Sequence, residues 1–170
     1  MTDHTNYTVL DDVFRRFLKG SSVFLDRDVL RHDYIPEDLP HRQEQIRCFG
    51  EIVAPVLRGS RCSNIFIYGK TGTGKTAVVK FVLNKLAQKT RQLGADVKIC
   101  YVNCRLVGTE YRIFSMLCET LGSRIPFTGL AVGEVFDRFK KALNLNKVLL
   151  IVVLDEIDSL IRTRGDVLLY

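Results

Sequence analysis

The sequence predicts an α/β domain of three layers, with helices on both faces of a mostly parallel sheet. Three observations predict it. Val148 to Leu154 is an unbroken apolar run that ends at Asp155, the pattern of a strand buried on both faces. Asn64-Ile65-Phe66-Ile67-Tyr68 is a shorter apolar run that breaks into a glycine-rich loop and then into a helical pattern. Between the two runs, strand-like and helix-like periodicities alternate, as successive β-α units require.

Residues 1–7 are polar and expected to fray. Val9, Leu10, Val13, Phe14, Phe17 and Leu18 recur at helical spacing, with Arg15, Arg16 and Lys19 on the other side and Gly20 as a stop. The basic side suits a solvated face better than a binding site. Residues 21–40 show no periodicity and read as an extended arm, so the chain divides into a helix and arm over 1–40 and an α/β domain over 41–170. Within the arm, Tyr34, Ile35 and Pro36 fit either one wall of a ligand pocket or a loop packed on the core.

His41 to Leu57 reads as a helix that Pro55 should bend. After the 64–68 strand, a helix runs from Lys75 to about Leu93, with Val78, Val79, Val82, Leu83 and Leu86 inward and Gly94 as its stop. Val97 to Asn103 is a second strand, on which Cys100 can share a face with Cys104 as a small buried hydrophobe. A helix over 109–121 ends at Gly122. The turn Ile125-Pro126-Phe127-Thr128-Gly129-Leu130 leads to a helix that buries Val132, Val135, Phe136, Phe139 and Leu143. The 148–154 strand follows, and a further helix is expected toward Tyr170.

Gly69, four intervening residues and Gly74-Lys75-Thr76 match the Walker A spacing, so Gly69, Lys70, Thr71, Gly72, Thr73, Gly74, Lys75 and Thr76 form a candidate phosphate loop. Glycines let the backbone approach an anion closely, and the following helix aims its positive end at the phosphates. Lys75 would reach the β and γ oxygens, and the Thr76 hydroxyl would bind Mg²⁺. Asp155 would hold Mg²⁺ through water and Glu156 would polarise the attacking water, since ligands in open α/β sheets sit at the carboxyl ends of strands. Asp158 fits better as a cap of the next helix.

At 170 residues and 46% hydrophobic, the chain can bury one sizeable core and is excluded from the disordered class. The net charge of +6 and pI near 9.2 favour an anionic partner, nucleic acid among them. Five cysteines without a zinc spacing read as reduced thiols. The N-terminus lacks a signal-peptide pattern and the 148–154 run is too short to cross a bilayer, so a soluble, cytoplasmic protein is expected. Asn6-Tyr7-Thr8 spells a glycosylation acceptor by chance in that setting.

The blocks Tyr34-Ile35-Pro36-Glu37 with Leu39-Pro40-His41-Arg42, Ile67 to Thr76, Tyr101-Val102-Asn103-Cys104 and Leu154-Asp155-Glu156-Ile157-Asp158 stand in the order found in archaeal replication initiators of the Cdc-six/Orc-one type. From about Val23 onward the chain resembles these AAA+ P-loop NTPases. The resemblance implies binding of ATP or ADP with Mg²⁺, recognition of double-stranded origin DNA, loading of the replicative helicase, assembly with other initiator subunits and a nucleoid-associated location. It places Tyr34 to Pro36 by the adenine, and it marks 125–130 and the residues after it as a region that approaches DNA. Such proteins continue into a sensor strand, an arginine finger, a helical lid and a winged helix, all expected beyond Tyr170. The sensor strand would lie between the Walker A and Walker B strands, so a gap is expected there. An N-terminal fragment with little ATPase activity of its own is the expectation; the alternative is a truncated, non-catalytic relative that binds nucleotide weakly or only pairs with a full-length partner.

Overall fold

The computed structural model describes residues 5–19, 26–31, 34–126 and 128–163. Its contacts divide the chain into two units, Met1–Pro36 and Glu37–Tyr170.

The first unit holds helix α1, Thr5–Lys19, which starts four residues before the expected Val9. Periodicity locates the apolar stripe and not the first turn, whose N–H groups have no partner within the helix and which tolerates polar residues. The expected stop at Gly20 lies outside the described residues. The Arg27 guanidinium stands 5.6 Å from the centre of the Phe17 ring. A 3-10 turn, Asp28–Leu30, interrupts the arm, and the Asp26 carboxylate accepts from the Asp28 N–H at 2.9 Å to open it.

The second unit starts with α2, Gln43–Val53. The bend expected at Pro55 takes the form of a 3-10 turn, Ala54–Arg58, with the proline in its first positions, where its missing N–H leaves no bond unmade. Helix α3 runs Lys75–Leu93 and ends at Gly94, as the pattern predicts. Strands β1, Val97–Asn103, and β2, Leu149–Asp155, pair in parallel from Val97 beside Leu149 to Asn103 beside Asp155. The crossover between them carries α4, Cys104–Val107, α5, Glu110–Thr120, and α6, Val132–Asn146. Helix α7, Asp158–Thr163, begins at the predicted Asp158.

The two-residue pleat sorts side chains onto two faces. Ile99, Ile151 and Val153 pack against Phe49, Val53 and Val56 of the α2 side and Val79, Val82, Leu83 and Leu86 of α3. Cys100, Val102 and Leu150 pack against Ile113 and Leu117 of α5, Leu160 of α7 and Cys104. Cys100 and Cys104 thus share one apolar cluster, as expected. The helices of this second layer lie over β1, so Val152 and Leu154 of β2 stay partly open, where burial on both faces was expected. On α6, Val135 and Ala142 are buried, while Val132 and Phe136 sit at the rim instead of inside. Phe136 closes an aromatic group there, 5.2 Å from Phe114 edge to face, under the Lys140 ammonium.

The expected strand over 64–68 is not formed. Among the described residues the sheet has two strands, and no ladder includes this segment. A strand exists only as one side of a hydrogen-bonded pair, so strong β-propensity cannot produce one without a partner. Ile65 still packs on the α2–α3 cluster, whereas Phe66 and Tyr68 are 78% and 82% exposed and stack on each other at 5.9 Å.

Candidate functional site

The glycine loop lies where the sequence predicts it, between the 64–68 segment and the first turn of α3. Gly74 caps α3 with φ 81°, and Gly69 has φ 151°, conformations a side chain would strain. The loop is tied internally: the Thr73 hydroxyl donates to the Lys70 carbonyl at 2.8 Å, and Lys75 Nζ donates to the carbonyls of Gly69 and Lys70 at 3.0 Å each. An ammonium held inside a ring of loop backbone at a helix N-terminus is placed to meet an anion. Arg42, just before α2, donates to the Thr73 carbonyl at 2.7 Å and braces the loop from outside. Sequence reading assigned Arg42 no role, because the link spans two elements and follows no local spacing.

Thr76 and Asp155 are brought together: the threonine hydroxyl donates to Asp155 Oδ2 at 2.8 Å across a separation of 79 residues. Thr76 comes from the first turn of α3 and Asp155 from the carboxyl end of β2. A hydroxyl and a carboxylate at one point are hard oxygen donors, the set that suits Mg²⁺ beside a phosphate. Glu156 follows with φ 53°, unusual for a non-glycine residue, and its N–H donates to Asp155 Oδ1 at 3.0 Å. Its carboxylate faces Arg105 of α4 at 3.8 Å, an exposed pair of small energetic weight. Tyr34, Ile35 and Pro36 lie in the first unit, without regular structure.

Tyr101 was also missed. Its hydroxyl donates to Asp155 Oδ2, and burial, followed by that hydrogen bond, pushes its ionisation well above the ordinary tyrosine range. Burial, with Asp155 adding repulsion, pushes the Cys104 thiol up to about 11. Both groups hold their protons more tightly folded than unfolded, so they add stability below their ordinary values and withdraw it as pH rises toward the folded ones. Thermal melts should therefore be flat near neutrality and fall above the ordinary thiol value of 9.0. Cys104→Ala should lessen the part of that fall below the tyrosine range, the rest coming from the Cys118 thiol that burial also raises, and an unchanged slope would refute the assignment.

A parallel sheet with a phosphate loop at one helix N-terminus and an acidic pair at the carboxyl end of a strand defines a P-loop NTPase domain. Among known families, the AAA domain model matches residues 57–170, and the chain belongs to that family. It is 48% identical to the ORC1-type DNA replication protein 1 of Sulfurisphaera tokodaii over 163 residues, covering 95% of this chain and 40% of that one. Among solved structures it is similar to the Aeropyrum pernix ORC1 protein in complex with DNA, with TM-score 0.79, 48% identity, and 83% and 37% of the two chains covered. The Aeropyrum pernix ORC2 protein, solved as ADPNP-ADP complexes, matches with TM-score 0.68 and 26% identity over 84% of this chain and 38% of that one. The chain thus spans about two fifths of the length of the curated relatives it matches. The resemblance read from the four motif blocks and the AAA+ fold are borne out. Among the described residues no helix is long and apolar enough to cross a membrane.

Proposed function

We propose that this chain binds ATP or ADP with Mg²⁺ and serves in the initiation of DNA replication. The observation that carries the nucleotide reading is the Thr76–Asp155 hydrogen bond, which joins the phosphate loop to the acidic strand end. Gly69 to Thr76 cradle the phosphates through backbone N–H groups, and Lys75 exchanges its two carbonyl partners for the β and γ oxygens. Thr76 and Asp155 would hold Mg²⁺, which when bound would neutralise phosphate charge. Glu156 orients and polarises water for hydrolysis. Tyr34, Ile35 and Pro36 bound the adenine.

The relatives' names, DNA replication proteins and one structure in complex with DNA, support DNA as a partner. Its double-stranded origin form, the replicative helicase, other initiator subunits and a place in the cytoplasm at the nucleoid are what the resemblance of the motif blocks implies. DNA is met by the 125–133 region. The alternative, a non-catalytic relative that binds nucleotide weakly or only pairs with a full-length partner, is favoured by one observation: Phe66 and Tyr68 are exposed, and among the described residues the sheet has two strands.

The test is anisotropy of a labelled duplex across a salt series, run with and without Mg-ATP. Binding should be weak, indifferent to sequence and steeply weakened by salt through counterion release. A tight complex with one sequence at physiological salt, or none even at low salt, would overturn the placement of the DNA contacts.

A further inference from the structure

We propose that Tyr101 is a positioning residue for the metal-binding carboxylate; this rests on the Mg-nucleotide reading above. Neither the phosphate-loop spacing nor the acidic strand end calls for a tyrosine here. The side chain stands on β1 beside Val153, two residues before the Asn103–Asp155 pair, and the pleat puts it on the same face as Asp155. Its hydroxyl donates to Asp155 Oδ2, the oxygen that also accepts from Thr76. With the Glu156 N–H on Oδ1, the carboxylate is held by three donors from α3, from β1 and from its own chain neighbour. The tyrosine is itself fixed at its other end. Lys80, one turn beyond Thr76 on α3, sets its ammonium 4.9 Å from the centre of the Tyr101 ring.

A carboxylate at a strand end can turn about two side-chain bonds, and a metal that selects one orientation must pay for ordering it. Tyr101 supplies that order before the metal arrives. Partners behind a metal ligand generally act this way, and their loss costs about 10–100-fold in metal affinity or activity. Thr76 cannot do so alone, because its hydroxyl is itself assigned to the metal.

The test measures ATP affinity by calorimetry on the full chain in Mg²⁺ and in EDTA, for wild type, Tyr101→Phe, Asp155→Asn and the double variant. Tyr101→Phe should lose about tenfold of the gain that Mg²⁺ gives, the lower end of the range for such partners. Its affinity in EDTA should stay at the wild-type value, and on the Asp155→Asn background it should add nothing. An equal loss in both buffers, an undiminished Mg²⁺ gain, or a further loss on the Asp155→Asn background would each overturn the assignment. Should Tyr101→Phe melt well below wild type, Lys80→Met, which frees the ring and keeps the hydroxyl, should also lose part of the Mg²⁺ gain; no loss overturns the assignment. A wild-type chain that binds no ATP in either buffer would overturn the nucleotide reading and this assignment together. A wild-type gain matched in full by Tyr101→Phe would overturn this one alone.

Discussion

Lys75→Ala is expected to abolish Mg-ATP binding, with affinity falling about 100-fold or more by titration calorimetry and the thermal transition unmoved. The ammonium donates two hydrogen bonds, both to loop carbonyls that are open to solvent. Water can replace it there, so its removal leaves no buried acceptor unsatisfied and little stability is at stake. Nucleotide is different. Its β and γ phosphates bring several negative charges to a loop whose other donors are backbone N–H groups. A hydrogen bond to a charged group contributes about 1.5–3 kcal/mol, and each 1.4 kcal/mol is tenfold in affinity. Removing two such hydrogen bonds, one to each phosphate, gives the expected range. Affinity that survived the substitution would remove the phosphate-loop reading, however closely the fold matches that of its relatives.

Val102→Asp should abolish cooperative unfolding altogether. Val102 has no exposed surface and sits on β1 in a cluster whose described members, Cys100, Cys104, Ile113 and Leu117 among them, are apolar. An uncompensated buried carboxylate costs several kcal/mol even after relaxation, against a total stability of about 5–15 kcal/mol for a native domain. Leu145→Asp is the control, since Leu145 is 83% exposed and should melt as wild type does. A cooperative, unshifted transition for Val102→Asp, followed by circular dichroism, would show that the β1–α5 cluster is not the core.

Much of the fold was legible because local patterns carry it. Helix α3 begins at Lys75 and ends at Gly94, β1 covers Val97 to Asn103, and β2 ends at Asp155, each where spacing and glycines put it. Two of the departures share one cause: the rim position of Phe136 and the open faces of Val152 and Leu154 depend on what covers a segment, and periodicity reports only which side is apolar.

The sequence by itself determined the phosphate loop, the acidic pair and the order of α3, β1, α5, α6, β2 and α7, because each is written in neighbouring residues with fixed spacing. Only the tertiary structure decided that Tyr101 and Thr76 meet on one oxygen of Asp155, that Arg42 braces the Thr73 carbonyl, and that 64–68 stays out of the sheet. Those are relations between residues tens of positions apart. A hydrogen bond or a ladder forms only when two separated segments arrive at one place, and no local pattern states where its partner will be.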